Sequence, residues 1–246
     1  MTRSLLLGAA LVLAACNTET APDAQPGESR SAASEAVSAD AVFDAYLERD
    51  RALQNAWRDS DDQTLLAELA HRAERDQAVR QLIPELLETP GAGPNEATLT
   101  WFRVMRHMNA IDRDNARWLK AQLEDRVWFT PSQYGDEADS NAFLIVQHAT
   151  HDRDLMRDVH QRFEELLPEG EVAPDHYALL SDRLAVMDGR SQPYGSQFEC
   201  VNGEQRLQTP IAEPETVDAR RADVGLPTMA QYRAALPDCG SMPGGG

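Results

Sequence analysis

Apolar residues recur along most of this chain at intervals of three and four. Between residues 40 and 58 they fall at Val42, Phe43, Tyr46, Leu47, Leu53 and Trp57, which places them on one face of a helix. The same spacing runs through Leu65 to Leu87, Leu99 to Met108, Ala116 to Val127, Ala142 to Ala149, Leu155 to Leu167 and Tyr177 to Met187. Turn-forming stretches separate several of these segments: "TPGAGPN" at 89–95, "TPSQYGD" at 130–136 and "LPEGEVAPD" at 167–175. The pattern predicts a mainly α fold, a compact bundle of about seven helices.

After Gly189 the pattern changes. In "FECVNGEQRLQT" the pair Asn202-Gly203 sits between two short extended runs, the residues of a tight hairpin turn. Then "EPETVDARRADVG" reads as a short helix with Pro214 near its start and Gly225 as its stop, and "TMAQYRAAL" as another. A small C-terminal β-hairpin and short helices are therefore expected beside the bundle. Arg75-Asp76-Gln77, Arg113-Asp114-Asn115 and Arg153-Asp154-Leu155 share a pattern at a spacing near 40 residues, which suggests three helices opening alike with an acid at each start. A compact bundle is favoured over a repeat array because the similarity is only a few residues deep.

The chain begins "MTRSLLLGAALVLAAC": one positive charge at Arg3, a short apolar stretch, then small residues before a cysteine. That is the layout of a secretory signal, too short to span a bilayer. Its end, Leu13-Ala14-Ala15-Cys16, resembles a bacterial lipobox, which implies removal of residues 1–15 and lipidation of Cys16. Asn17 rather than Asp after the cysteine implies export to the outer membrane, with the protein on its periplasmic face. Residues 16–39 are rich in Ala, Ser, Pro and Glu and read as a disordered tether, 40–240 as a single mainly helical domain, and 241–246 as a disordered tail.

The chain carries 41 acidic against 23 basic residues, a formal charge of −18, and loss of Arg3 with the signal makes it one more negative. That excess argues against nucleic acid as a partner and leaves the membrane, through the lipid on Cys16, and a small ligand. Of the cysteines, Cys200 and Cys239 remain in an exported compartment where disulfides persist. Their pairing would close a loop of about 40 residues, worth roughly 3 to 4 kcal/mol on the chain-entropy model. Metal or catalytic-thiol roles would need partners at a regular spacing, and none is present.

Candidate chemistry concentrates in two stretches. "NAFLIVQHATHD", 141–152, is apolar on every side from Ala142 to Val146 and then presents Gln147 and His148 at the end of a core helix. His148 stands four residues before Asp152, which predicts a carboxylate on the same face. Three readings of His148 stay open: a satisfied core histidine, a pocket residue that binds ligand or moves a proton, and a metal ligand with His151 and Asp152. The last lacks a third ligand at a diagnostic spacing, and no metal or cofactor is expected.

In "SDRLAVMDGRSQPYGSQFEC", 181–200, Asp182 falls on the inward row of a helix, with Arg183 or His148 as the expected compensating charge. Gly189 ends that helix, and Gln192, Tyr194, Gly195 and Gln197 follow on an irregular segment, where binding groups tend to sit. The alternative is a turn whose tyrosine plugs the bundle end.

These runs together with "EPETVDARRADVGLP" resemble an uncharacterised bacterial family built on a domain of unknown function. Its members share a Gln-His-Ala helix, an Asp-Arg helix, a Gln-x-Tyr-Gly-Thr-Gln turn and an Arg-Arg-x-x-x-Gly-Leu end. The resemblance spans roughly residues 60 to 235 and implies that Gln147, His148, Asp182, Arg183, Gln192, Tyr194, Gly195, Gln197, Arg220 and Arg221 stand at signature positions. Thr150 departs from the usual acid after Gln-His-Ala, and Ser196 from the usual Thr. The resemblance implies no activity.

The sequence therefore predicts a lipid-anchored periplasmic binding or interaction module. A small polar or peptide-like ligand would sit between the Gln147-His148 helix end and the 190–197 turn, contacting Gln147, Arg183, Gln192, Gly195 and Gln197. One alternative is an envelope enzyme, such as a hydrolase, with His148 as general base oriented by Asp152 or Asp182, and Tyr194 or Arg183 stabilising developing negative charge. Another is a purely structural envelope lipoprotein.

Overall fold

The computed structural model describes residues 38–88 and 94–236. The lipobox with Cys16, most of the 16–39 tether, Cys239 and the 241–246 tail lie outside the described residues. Among the described residues nine α-helices and one hairpin form the predicted mainly α architecture.

The first helix, α1 (Ala39–Asp59), starts where the Ser38 hydroxyl accepts a hydrogen bond from the Ala41 N–H, with Asp40 in its first turn. Its apolar face, Val42, Phe43 and Tyr46, packs with Val79 and Leu82 of α2 (Leu65–Glu88) and Val104 and Ile111 of α3 (Pro94–Gln122). Each such large side chain contributes about 1.5–3 kcal/mol by leaving water.

The sequence pattern divides α3 into two helices, but it is continuous. The interruption in its apolar spacing is Asp112 and Asn115, both buried, and neither breaks the helix. Asp112 accepts from Arg80 and Asn115 from Arg72, so these polar positions are contacts to α2. The expected family of acid-opened helices fails for the same reason. Arg75-Asp76 and Arg113-Asp114 lie inside α2 and α3, and only Arg153-Asp154 opens a helix.

The larger core gathers around α5 (Asp136–His148), which follows the one-turn α4 (Pro131–Tyr134). Ala142, Phe143, Ile145 and Val146 of α5 are buried, but Leu144 in the middle of this apolar run is only partly covered, so the helix is not enclosed on every side. They pack against Trp128 and Phe129, Leu155, Val159 and Phe163 of α6 (Arg153–Leu166) and Leu180 of α7 (Pro174–Met187). A buried carboxylate pins this layer: Asp139 accepts from the Trp128 indole at 2.6 Å and the Ala173 N–H at 3.2 Å, and meets His176 at 3.0 Å.

The chain leaves α7 through Gly189, whose φ of 66° suits a left-handed exit. Strands β1 (Phe198–Val201) and β2 (Glu204–Leu207) pair antiparallel, Phe198 opposite Leu207 and Val201 opposite Glu204. Asn202 and Gly203, with φ of 52° and 76°, form the two-residue turn that their sequence predicts. Two short helices close the described chain, α8 (Val217–Asp223) and α9 (Met229–Ala235), the latter opened by a Thr228–Gln231 capping box.

Candidate functional site

The candidate residues fall into two groups, linked where Arg183 of α7 donates to the Gln147 carbonyl of α5. The first builds the 192–197 turn. Asp182, completely buried in α7, accepts the Tyr194 N–H at 2.8 Å and the Ser196 N–H at 2.6 Å. Burial pushes its carboxyl above the usual range, and the hydrogen bonds from Tyr194 and Ser196 only partly offset that. The compensation expected from Arg183 or His148 is thus supplied by backbone donors.

Gln192 is equally buried and uses both ends of its amide. Its Nε2 donates to the Gln197 and Thr209 carbonyls, while its Oε1 accepts the Gln197 N–H at 2.8 Å. Gly195 is required on two counts: its φ is 68°, and a Cβ there would stand 2.7 Å from the Ile211 Cδ1. Arg220 reaches the carbonyls of Pro193 and Ala212, and Arg221 those of Tyr194 and Pro227. Arg221 also stacks over Tyr232, whose hydroxyl donates to the Ser196 carbonyl at 3.1 Å. Gln197 turns its amide onto the Ser196 hydroxyl.

The second group lies at the C-terminal end of α5. His148 does not pair with Asp152. The helix stops at His148, and Asp152 caps the next one by accepting the Leu155 N–H, with Lys120 as its ion-pair partner. Residues four apart share a face only while the helix continues. His148 instead presents Nδ1 to both carboxylate oxygens of Asp76 on α2, at 3.0 and 2.9 Å.

Asp76, wholly buried, also receives Arg80 at 2.8 Å and the Gln77 amide at 2.8 Å. Arg80 extends the chain of charges to Asp112 at 2.8 Å. A carboxylate at Nδ1 fixes the tautomer with the proton on that nitrogen and leaves Nε2 as an acceptor, 3.4 Å from the Gln147 amide nitrogen. The imidazole keeps 17% of its side-chain surface exposed against 1% for Asp76. The buried acid therefore orients a ring that keeps part of its own surface exposed.

On the other side of this helix end, Arg183 of α7 donates to the Gln147 carbonyl at 2.8 Å. Burial, and repulsion from Arg80, hold its guanidinium below its ordinary basicity. His148, Asp182 and Tyr194 do not form a catalytic trio: Asp182 meets Tyr194 through the backbone N–H, and His148 is bound to Asp76. Among the described residues no group of three or more His, Cys, Asp or Glu is placed to hold a metal ion.

A family model matches residues 62–242. The chain belongs to DUF6624, a family of unknown function. The DUF6624 match takes in α2 to α9 and hence both groups of candidate residues, while α1 lies before it. No curated protein and no solved structure matches the chain.

Asp76, Arg80 and Asp112 escape sequence reasoning, although one signal points to them. On α2 the buried row Leu69, Ala73, Asp76 continues toward Arg80, so an acid stands where the spacing calls for an apolar side chain. Two cavities were equally invisible. One of about 640 Å³ lies between α1, α2 and α5, with Trp57, His71, Gln77, Asn141 and Leu144 in its walls. It follows the face of α5 that ends one turn later at His148. The other, about 260 Å³ between α6 and α7, has His160 Nε2 2.8 Å from the Ser181 hydroxyl. Ser181 also donates to the Tyr177 carbonyl one turn back, a bond internal to its helix.

Proposed function

We propose that this protein is a lipid-anchored module of the cell envelope that binds a small polar ligand at the C-terminal end of α5, with Gln147, His148 and Arg183 as contact groups. The observation that carries this reading is the state of His148: oriented by a buried acid at Nδ1, partly exposed, and with Nε2 held only by a long 3.4 Å contact to the Gln147 amide. Titration of the full chain with acetate, inorganic phosphate, glucose and N-methylacetamide, followed on the His148 ring resonances, tests it. A saturable shift with at least one probe is expected, with the accompanying shift of the Gln147 side-chain amide lost in His148→Ala; silence toward all four contradicts the reading.

A second reading makes the same site catalytic. Asp76 behind Nδ1 is the arrangement that orients a general base, and Nε2 is the nitrogen that would take the proton. Turnover lost in His148→Gln with ligand affinity retained would favour it.

The address rests on the lipobox. Lipid on Cys16, at about 0.8 kcal/mol per buried methylene, would hold the protein on the periplasmic face of the outer membrane. No helix of the described residues is long and apolar enough to cross a membrane. Cys16→Ser would release the protein from the membrane fraction, and unchanged partition would refute the anchor. We also propose a disulfide between Cys200, on β1, and Cys239, clamping the hairpin to the segment after α9. Two free thiols in the exported protein would exclude it.

A further inference from the structure

Among the described residues, the arginines that reach into the helix bundle almost all have a carboxylate. Arg72 has Glu68 and Asp114, Arg75 has Asp50, and Arg80 has Asp76 and Asp112. Arg126, Arg183 and Arg221 depart from this rule, and of the three Arg183 is the one at the His148 site. It donates once, to the Gln147 carbonyl at 2.8 Å, and makes no ion pair among the described residues. That bond caps the end of α5, but it uses one of five guanidinium N–H groups.

A cation drawn into the interior beside another cation is unfavourable unless an anion balances it. Here Arg80 acts on Arg183 as a like charge, and the hydroxyl of Tyr232 is already donated to the Ser196 carbonyl. Arg221 differs in being closed off: it is fully buried, with two of its nitrogens on the carbonyls of Pro227 and Tyr194 and its Nη2 enclosed without a partner. Arg183 is only partly covered, so the groups it has left can be reached from solvent. The Gln147 amide stands on the same helix end as a second, neutral donor.

We infer that Arg183 is the anchor for an anionic group, a carboxylate or a phosphate, carried by the ligand of the His148 site; this rests on the binding reading given above. The planar fork of guanidinium suits either oxyanion in a two-point contact. The anion supplies the countercharge that the fold withholds, with His148 facing the adjoining part of the ligand.

The test follows the Arg183 Nε–H and His148 ring resonances of the full chain while sodium phosphate, sodium acetate, glucose and N-methylacetamide are added in turn. Phosphate or acetate is expected to shift both residues saturably, and Arg183→Gln to weaken that binding at least about tenfold. Arg117→Gln, on an exposed part of α3, leaves it unchanged. Tighter binding of phosphate assigns a phosphate ligand, and tighter binding of acetate a carboxylate. If Arg183→Gln loses its helical circular dichroism, Arg183→Lys carries the test: it keeps the charge and loses the fork, and affinity equal to wild type overturns the anchor. Shifts at His148 with neutral probes alone overturn the anion anchor and leave the binding reading standing. Silence toward all four probes overturns both.

Discussion

The 192–197 turn and the C-terminal end of α5 hold similar residues, an acid, an amide and an arginine each, yet use them in opposite ways. In the turn, both Asp182 oxygens, both ends of the Gln192 amide and the carbonyls around Arg220 and Arg221 are bonded within the chain. At the helix end the base is just as fixed, Asp76 holding His148, Arg80 and Gln77, but the outward groups are less engaged: His148 Nε2 has only the Gln147 amide at 3.4 Å, and the Arg183 fork makes one hydrogen bond among the described residues. The candidate residues thus divide into those that build a support and those that face outward. Polar residue type alone does not tell them apart; the count of hydrogen bonds already made does.

The largest effect should come from the support. Asp182→Ala leaves two N–H groups without acceptors in a buried site, at about 1–3 kcal/mol for each. A fall in unfolding free energy of about 3 kcal/mol by urea titration is expected, and a loss below 1 kcal/mol would show that water replaces the carboxylate. Gly195→Ala comes next. A left-handed backbone costs a side chain about 1–2 kcal/mol, and the added methyl must also displace the end of Ile211. The expected outcome is a lower melting temperature with an unchanged His148 resonance.

Much of the scaffold was legible, and the reason is local. Helix α1, helix α7 and the Asn202-Gly203 hairpin depend on spacing and turn residues within a few positions of one another. What was not legible depends on distant partners. His148 meets Asp76 across 72 positions of chain, so the nearby Asp152 was the natural but mistaken expectation. Asp112 looked like a break between helices until Arg80 on α2 showed it to be an ion-pair partner. The signature residues were visible as candidates, but which of them face inward requires knowing what each one bonds.

A smaller, pH-dependent effect compares two buried acids of opposite sign. Burial raises the carboxyl of Asp50, but His107, 3.4 Å away, and the hydrogen bonds from Arg75 outweigh it and hold it below the ordinary range. Its contribution to stability is therefore full above about pH 4, the unfolded value, and is lost as pH falls further. Asp182 is displaced upward, so its charged form is the less favourable one when folded, and its contribution declines as pH rises from about 4 through the folded value. Acid titration of unfolding free energy should lose part of its low-pH fall in Asp50→Asn. An unchanged profile would mean that Asp50 keeps an ordinary affinity for its proton.

The smallest effect on stability should come from the outward groups. His148→Gln and Arg183→Gln are expected to change unfolding free energy by no more than about 1 kcal/mol, the range of a single net hydrogen bond, while abolishing or weakening the ligand response. A loss as large as that of Asp182→Ala would place them in the support as well.

The most direct measurement is the long-range proton–nitrogen NMR spectrum of the His148 ring. If Asp76 orients the imidazole so that its far nitrogen faces the site, the neutral ring carries its proton on Nδ1, Nε2 resonates as an unprotonated acceptor, and Asp76→Asn disturbs that preference. A proton found on Nε2, or a preference indifferent to Asp76→Asn, would contradict the account.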